Sequence, residues 1–464
     1  MKQSAPWIDS SELELPVVRA SKRLPILRFF LRYPIFLLAF GPPEFKRPIV
    51  GVDTSQAHYD IWNIIQVGWL SLIALRAILR LHAARSIRIP KQIRSILILP
   101  LLLGFLFALS VTYSPGRVIS SEYCFLFFLN LICVVEFLVD VYRNPPNWMQ
   151  CIFQLRLVAL VLMALVLLTA LIAPNLVMGI VEGVGIRLGG GNVASMGLYP
   201  EMIAIISAYT FLYSLESRAR AAFLFLVGLA GTLITQTRGI EISLFIVLTV
   251  LAAGWAKTSR RSSNTLIAGL MAFVLFAGAV TVAVGPARIW YIFNRGQDIE
   301  GIETASGRTG VWKDQIAYCL AHPQGMGYIA GVRTFHRRDF SGNLHAALTN
   351  IGGTDNSFME VLVDAGWLAL ALYLLMMVRT IALGWRIANR NSSVIVASDT
   401  VFRHPIRCAT LLLFYCLAQG TENSSYAIPM FGAFYCQYIF IAIILGASAT
   451  VLIASRPRHP SLAR

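Results

Sequence analysis

Twelve apolar windows constrain the fold of this chain more than any other feature. A transmembrane helix needs about 20 mostly apolar residues. The windows are residues 24–40, 61–80, 95–112, 121–141, 153–172, 194–214, 219–236, 238–256, 264–285, 357–378, 406–424 and 432–454. We therefore predict an all-α polytopic membrane protein with about 12 transmembrane helices. Arg28, Arg32 and Pro34 weaken the first window, so a helix on the membrane surface is a nearly equal alternative there.

The composition leaves no room for a large soluble domain. The chain has 464 residues, of which 57% are hydrophobic and 13% charged, whereas soluble domains carry about 25% charged residues. A net charge of +16 could indicate nucleic-acid binding, but cations also collect in the cytoplasmic loops of membrane proteins. We predict no nucleic-acid partner. The seven cysteines are scattered without the spacing of a metal site, so we predict no metal and no cofactor.

The distribution of basic residues predicts the topology. With residues 1–23 in the cytoplasm, the cytoplasmic loops hold most of the cations, for example in 80–94, 257–261, 379–407 and the tail 455–464. This bias agrees with the positive-inside rule. Spans one to nine then occupy 24–285 and spans ten to twelve occupy 357–454. The large loop 286–356 between spans nine and ten is predicted to be periplasmic.

The large loop carries basic residues that orientation does not explain. They are Arg288, Arg295, Arg308, Lys313, Arg333, Arg337 and Arg338. The positive-inside rule is weak for long loops, so this excess alone assigns no function. A cluster of cations in one loop between two spans nevertheless indicates an anionic ligand.

Further ionisable residues fall near the outer ends of the predicted spans. A charge within a span costs about 2.5–3.5 kcal/mol on insertion scales, so it usually faces a cavity or a partner. These residues are Glu182, Arg187, Glu201, Arg238, Glu241, Asp355, Glu360, Asp364 and Glu422. Arg238 is the clearest candidate because it lies in a very tight turn between two spans. The alternative is a structural pair with Glu241 or contact with a lipid headgroup.

Four local patterns follow one another along the chain. They are Arg187-Leu188-Gly189-Gly190 with Asn192; Thr235-Gln236-Thr237-Arg238-Gly239; Ser306-Gly307-Arg308 with Trp312, His322-Pro323 and Gly325-Met326-Gly327-Tyr328; and Asp355-Asn356-Ser357-Phe358 with Glu360 and Gly366. Together they resemble the O-antigen ligase and O-antigen polymerase superfamily of bacterial envelope glycosyltransferases. Each pattern alone is weak. Their order and spacing make the resemblance specific over roughly residues 180–430, whereas the first 150 residues are similar in hydropathy only.

The resemblance implies inverting, metal-independent glycosyl transfer at the periplasmic face of the bacterial inner membrane. The donor would be a glycan on undecaprenyl diphosphate, and the acceptor either another lipid-linked glycan or lipid A–core. Arg238 and Arg308 match the functional arginines of the family and would hold the diphosphate. Arg187, Arg288 and His345 are further candidates for substrate binding. Membrane lipids and other polysaccharide-assembly proteins are the remaining candidate partners.

One position departs from the ligase pattern. Asp355 stands where the family has a histidine before the asparagine, and His345 could supply an imidazole only if the loop folds back. This difference favours a polymerase of O-antigen or exopolysaccharide repeat units over a lipopolysaccharide ligase. Asp355 could act as the base, with Glu360 or Glu422 orienting the acceptor. It could instead cap the tenth helix, since aspartate is a preferred cap.

Two other classes of protein compete with an enzyme. A flippase or other transporter would usually show internal repeats or ionisable groups at the membrane midplane, whereas these charges gather towards one face. A scaffolding subunit would not explain arginines placed at the ends of spans. The identity of the neighbouring genes, such as sugar transferases and a repeat-unit flippase, would discriminate between these readings.

Overall fold

A computed structural model describes most of the helical part of the chain. It covers residues 24–39, 61–82, 89–181, 185–188, 193–235, 238–258, 264, 308–335, 356–389, 399–421, 426–427, 429 and 432–454. For residues 61–66, 176–181, 185–188, 193–196, 238, 399–401 and 454, only the backbone is described. Apart from residue 264, the ninth window lies outside the described residues, as does most of the predicted loop, including residues 286–307 and 336–355.

The described chain is almost entirely helical. Its helices are α1 (Ile26–Arg32), α2 (Ile61–His82), α3 (Lys91–Val111), α4 (Arg117–Arg143), α5 (Trp148–Ile172), α6 (Pro174–Val177), α7 (Val193–Leu212), α8 (Arg218–Thr235), α9 (Arg238–Ala256), α10 (Arg308–Ala321), α11 (Ala330–Phe335), α12 (Ser357–Ala388), α13 (Asp399–Gln419) and α14 (Gly432–Ala454), with a 3-10 helix at Pro34–Ala39. A small hairpin departs from the all-α prediction. Its antiparallel strands are β1 (Met178–Val181) and β2 (Gly185–Leu188), which contain the β-branched residues that suit strands.

Seven of the described helices are long and apolar enough to cross a membrane: α3, α4, α5, α8, α9, α12 and α14. Residues Gly197–Leu212 of α7 form a shorter apolar helix. The predicted class, a helical multi-pass membrane protein, is therefore confirmed. The total of twelve spans and the periplasmic side of the loop stay predictions.

The first apolar window forms two short helices, a mostly exposed α1 and a 3-10 helix that is mostly buried in the bundle. Leu24 at its start exchanges two hydrogen bonds with the Gln150 side chain, at 2.9 and 2.5 Å. Phe36 is fully buried and packs edge-on against Phe137 of α4. At the other end of the window, the carbonyl of Ala39 lies beside the first turn of α14. Whether this window crosses the membrane or lies on its surface stays a prediction.

The tenth window, 357–378, lies within α12, a helix that is long and apolar enough to cross a membrane. Helix α12 breaks at Gly366, whose φ of 82° and ψ of −177° are not helical. Residues 367–388 alone are long enough, at 1.5 Å per residue, to cross a hydrocarbon core of about 30 Å. Residues 357–365 precede this span and are buried or half-buried throughout. The first residues of α12 exposed on its surface are Trp367 and Leu368.

Helix α14 forms the centre of the bundle. It packs against α4, α12 and α13, and 83% of its apolar window is buried inside the protein. Such a helix can be apolar on every side because all of its faces meet protein. The surrounding helices have exposed apolar faces, as expected where a helix meets lipid.

Candidate active site

We call the end of the bundle where α3 ends and α4 begins the loop end, and the end where α4 ends and α5 begins the far end. The hydroxyl of Tyr113, between α3 and α4, donates to the carbonyl of Gln324 at 2.6 Å. The chain that follows α10 therefore lies at the loop end. The candidate site is built from the parts of α7, α9, α10, α12 and α13 that approach this end.

Helix α12 begins at the loop end with an asparagine cap. The side-chain oxygen of Asn356 accepts hydrogen bonds from the backbone N–H groups of Phe358 at 2.9 Å and Met359 at 3.1 Å. The alternative role of Asp355 as the helix cap is therefore wrong, because the capping oxygen belongs to Asn356. The N–H of Ser357 donates to the carbonyl of Gly420 at 2.8 Å, which joins the start of α12 to the end of α13.

A buried carboxyl lies in α7 on the same side of the bundle. Glu201 is fully buried and accepts a hydrogen bond from the hydroxyl of Tyr415 in α13. Its other carboxyl oxygen has no hydrogen-bond partner among the described residues. The first-turn residue Glu241 of α9 is close enough for the two carboxyls to interact electrostatically. Carboxyls from two helices thus approach each other near the backbone of Arg238, where α9 begins.

The turn after α10 docks against the break in α12. The N–H of Met326 donates to the carbonyl of Val363 at 2.8 Å, and the N–H of Gly327 donates to the carbonyl of Asp364 at 2.8 Å. In return, the N–H of Trp367 donates to the carbonyl of Pro323 at 3.1 Å. The break at Gly366 exposes backbone groups of α12, and the turn after α10 satisfies several of them.

The carboxylate of Asp364 completes this junction. One oxygen accepts from the N–H of Ile329 at 2.7 Å, and the other accepts from the N–H of Val332 at 2.9 Å. Asp364 is 1% exposed, and the charge of Arg333 interacts with it. Ile329 has a φ of 62°, which is costly for a β-branched residue. The carboxylate therefore holds the backbone in a conformation that it would not adopt alone.

Two glycines make the close approach possible. Gly366 has a φ of 82°, and a Cβ at this position would meet the carbonyl oxygen of Pro323. Gly327 has a φ of 120°, and a Cβ there would meet Ser114 in the connection between α3 and α4. The Gly-x-Gly part of the third sequence pattern therefore supports a backbone contact. Its role is structural in the described residues, since it positions α10 against α12.

Tyr328 anchors the same turn to α3 and α4. Its ring stacks on Phe107 with the ring centroids 3.9 Å apart. Its N–H donates to the hydroxyl of Ser110 at 2.9 Å, and its carbonyl accepts from the hydroxyl of Ser120 at 2.6 Å. Burial raises the pKa of the Tyr328 hydroxyl, which donates to the carbonyl of Ala427 at 3.3 Å.

The structure places some of the predicted site residues. Arg308 is the first residue of α10 and is half-buried, at the opposite end of that helix from the docked turn, roughly 20 Å along its axis. Glu360 is 3% exposed in the first turn of α12. The backbones of Arg187, which pairs with Gly179 in the hairpin, and Arg238 are described without their side chains. Four predicted residues lie outside the described residues: Arg288, His345, Asp355 and Glu422.

Sequence reasoning did not assign roles to the residues that hold the junction together. Asp364 appeared as one carboxyl among several, and Gly366 and Tyr328 appeared only as parts of motifs. One signal was available, because a buried acid beside a glycine in an apolar window indicates a partner. That partner is a set of backbone N–H groups, which no sequence pattern identifies.

The family comparison agrees with the motifs. Residues 221–374 match the family described as O-antigen ligase, Wzy_C, so the resemblance to the O-antigen ligase and polymerase superfamily is confirmed. The matched stretch runs from α8 to the middle of α12 and includes the docked turn. No curated protein matches the chain. The chain thus combines helices that are long and apolar enough to cross a membrane with a stretch that is similar to the O-antigen ligase family.

Proposed function

We propose that the protein polymerises oligosaccharide repeat units of O-antigen or exopolysaccharide that are linked to undecaprenyl diphosphate, at the periplasmic face of the inner membrane. The acceptor hydroxyl attacks the anomeric carbon of the donor sugar. The bond between that carbon and the diphosphate breaks with inversion, and the lipid diphosphate leaves with the bonding electrons. The proton of the hydroxyl passes to a base of the enzyme.

The observation that best supports this proposal is the docking of α10 on α12. Arg308 lies on a helix that is tied to the first part of α12 through the turn 323–332. The cap of this part of α12 is Asn356, the residue after Asp355 in the sequence. Arg308 and the start of α12 thus belong to one connected unit, which supports a shared site for a lipid diphosphate and a sugar hydroxyl.

The residue roles follow from phosphate and proton-transfer chemistry. We assign Arg238 and Arg308 to the diphosphate because guanidinium groups bind phosphate oxygens bidentately and stabilise charge on a leaving oxygen. We assign Asp355 as the base, with Glu360 and Glu422 orienting the acceptor, and Arg187, Arg288 and His345 to contacts with the glycan. The loop 286–356 then forms the periplasmic part of the site between spans 24–285 and 357–454.

The arginine assignment is tested by substitution in cells that lack the native gene. We expect Arg308→Ala and Arg238→Ala to abolish polymer formation while the protein remains in the membrane. Lysine should restore little activity, because a point charge lacks the planar fork. Arg94→Ala, at the exposed far end of α3, is the matched control and should keep wild-type product. Full-length polymer from Arg308→Ala would overturn the assignment.

The description of the matched family favours a second candidate, transfer of the finished glycan to lipid A–core. Deletion of the gene distinguishes the two reactions. Loss of a polymerase leaves single repeat units on the carrier or on lipid A–core, whereas loss of a ligase leaves full-length chains on the carrier and bare lipid A–core.

In either case Asp355→Asn tests the base, and we expect a fall of about 10²–10⁴-fold in rate. An unchanged rate would remove Asp355 from the reaction.

A further inference from the structure

Helix α10 carries apolar side chains on a face that the described protein does not cover. Ile316 is 37% exposed and Leu320 is 70% exposed, and their four-residue spacing places them side by side on the helix. Gln315 and Cys319 form the buried face against α12. Asp314 is exposed on another side of the helix, whereas Lys313 is exposed on the same face, three residues before Ile316. The stem of a lysine covers apolar surface while its ammonium group reaches the lipid headgroups.

Two aromatic side chains mark the depth of this helix. The indole N–H of Trp367 donates to the carbonyl of Cys319, the residue before Leu320, at 3.1 Å. The hydroxyl of Tyr113 donates to the carbonyl of Gln324 at 2.6 Å. Both residues are 39% exposed, and each stands at the loop end of a span. Tryptophan and tyrosine in this position typically lie at the boundary between lipid and water.

The exposed face of α10 is continuous with the lipid-facing surface of α12. Leu368, next to Trp367, is 62% exposed on a span that is long and apolar enough to cross the membrane. Because Trp367 contacts the residue before Leu320, the exposed side chains of α10 lie beside the start of this span. This arrangement indicates that the acyl chains of the lipids around the start of α12 also cover the exposed face of α10.

We propose that α10 is an interfacial helix that lies along the membrane surface and places Ile316 and Leu320 in lipid. The first residue of α10 is Arg308, so the helix keeps this cation at the depth of lipid headgroups. An amphipathic helix buries its apolar face at the boundary of headgroups and acyl chains in this way. The inference depends on the multi-pass membrane class, and it holds for a polymerase and a ligase alike.

Spin labels on single introduced cysteines test the proposal in the full chain, reconstituted in nanodiscs of phosphatidylethanolamine and phosphatidylglycerol. The seven native cysteines are buried, which limits background labelling. Labels at Ile316→Cys and Leu320→Cys report on the apolar face. Asp314→Cys is the matched control on another side of the same helix, and Leu368→Cys is a lipid-facing reference. The measurement compares collision with oxygen, which partitions into lipid, and with a water-soluble nickel chelate.

We expect labels at 316 and 320 to resemble the label at 368, with high oxygen and low nickel accessibility. The label at 314 should show the opposite preference. Nickel accessibility at 320 equal to that at 314 would overturn the proposal, as would low accessibility to both reagents, which would mean that protein covers this face. If the label at 316 were accessible to nickel and the label at 320 were not, a helix in the plane of the membrane would be excluded. No substrate is needed, so failure here leaves the proposed reaction untouched.

Discussion

The two ends of the bundle are held together by different interactions. At the loop end, backbone groups of the turn after α10 bond to backbone groups of α12, with Asp364 as the main side-chain acceptor. At the far end, side-chain ion pairs join the helices. Arg156 of α5 forms two hydrogen bonds to the carboxylate of Glu216, at 2.5 and 2.7 Å. Arg80 and Glu136 form a second pair at 2.5 Å.

The difference suggests that one end of the bundle positions the site and the other end stabilises the fold. Backbone hydrogen bonds in a glycine-lined contact allow one arrangement, because the atoms have no freedom to shift. Ion pairs between long side chains tolerate movement of the helices that carry them. We infer that the loop end fixes where Arg308 and the start of α12 lie, whereas the far end mainly stabilises the bundle. The three predictions below test this division and are ordered by their expected effect on glycan synthesis.

The largest effect is expected for Gly366→Ala. A φ of 82° disfavours any residue with a Cβ, and the new methyl group would meet the carbonyl of Pro323. The turn after α10 must then separate from α12, so we expect loss of glycan product in cells that lack the native gene. Gly254→Ala is the matched control, since a Cβ there meets nothing within 4 Å. Normal product from Gly366→Ala would show that the docked turn does not position the site.

A smaller, graded effect is expected at Asp364. Alanine leaves the buried N–H groups of Ile329 and Val332 without an acceptor, at a cost of about 1–3 kcal/mol each. Asparagine keeps one acceptor oxygen and should retain more product than alanine. Product yield and the thermal unfolding midpoint of the purified protein would measure both variants. Equal behaviour of the two variants would contradict the role of the carboxylate as a double acceptor.

The smallest effect on synthesis, with a clear effect on stability, is expected for Glu216→Gln. Burial alone would raise the pKa of Glu216, but hydrogen bonds from Arg156 and Thr210 lower it below its usual range. The wild-type pair therefore stabilises the fold above the unfolded carboxyl pKa of about 4.3, and this contribution is lost as the pH falls through the lower folded pKa.

The expected cost of Glu216→Gln is about 3–5 kcal/mol, because the substitution leaves a buried guanidinium without its carboxylate. The unfolding midpoint should fall at pH 7 and depend less on pH than in the wild type below about pH 5. Activity per folded molecule should stay normal. A specific loss of activity in protein that remains folded would contradict the division between the two ends.

Most helix positions could be predicted from hydropathy. The windows 238–256 and 432–454 coincide with α9 and α14, and several others differ from their helices by a few residues. Apolar length determines these elements, because a span must match the membrane whatever surrounds it. The break in α12 could not be predicted in this way. Gly366 is compatible with an apolar helix, and the contact with Pro323 accounts for its unusual backbone.

The site was less predictable than the fold. Two of the motifs, the Gly-x-Gly pattern and the start of α12, are parts of the connected unit, whereas the roles of the site residues stay predictions. The role of an individual residue depends on its exact position relative to a helix end or a turn, which the residue type does not reveal. Asp355 and Asn356 are equally good caps by residue type, and only the position of the first helical turn selects Asn356.

The break in α12 also has a consequence for assembly during synthesis. The turn 323–332 leaves the ribosome before α12. Its residues Ile329 and Val332 are only 35 and 32 residues from their partner Asp364 in sequence. The contact of the same turn with Tyr113 spans 211 residues. Contacts that are closer in sequence form at a lower entropic cost. The turn should therefore join α12 as soon as residues 367–388 have entered the membrane, and this local unit would close onto α3 and α4 later.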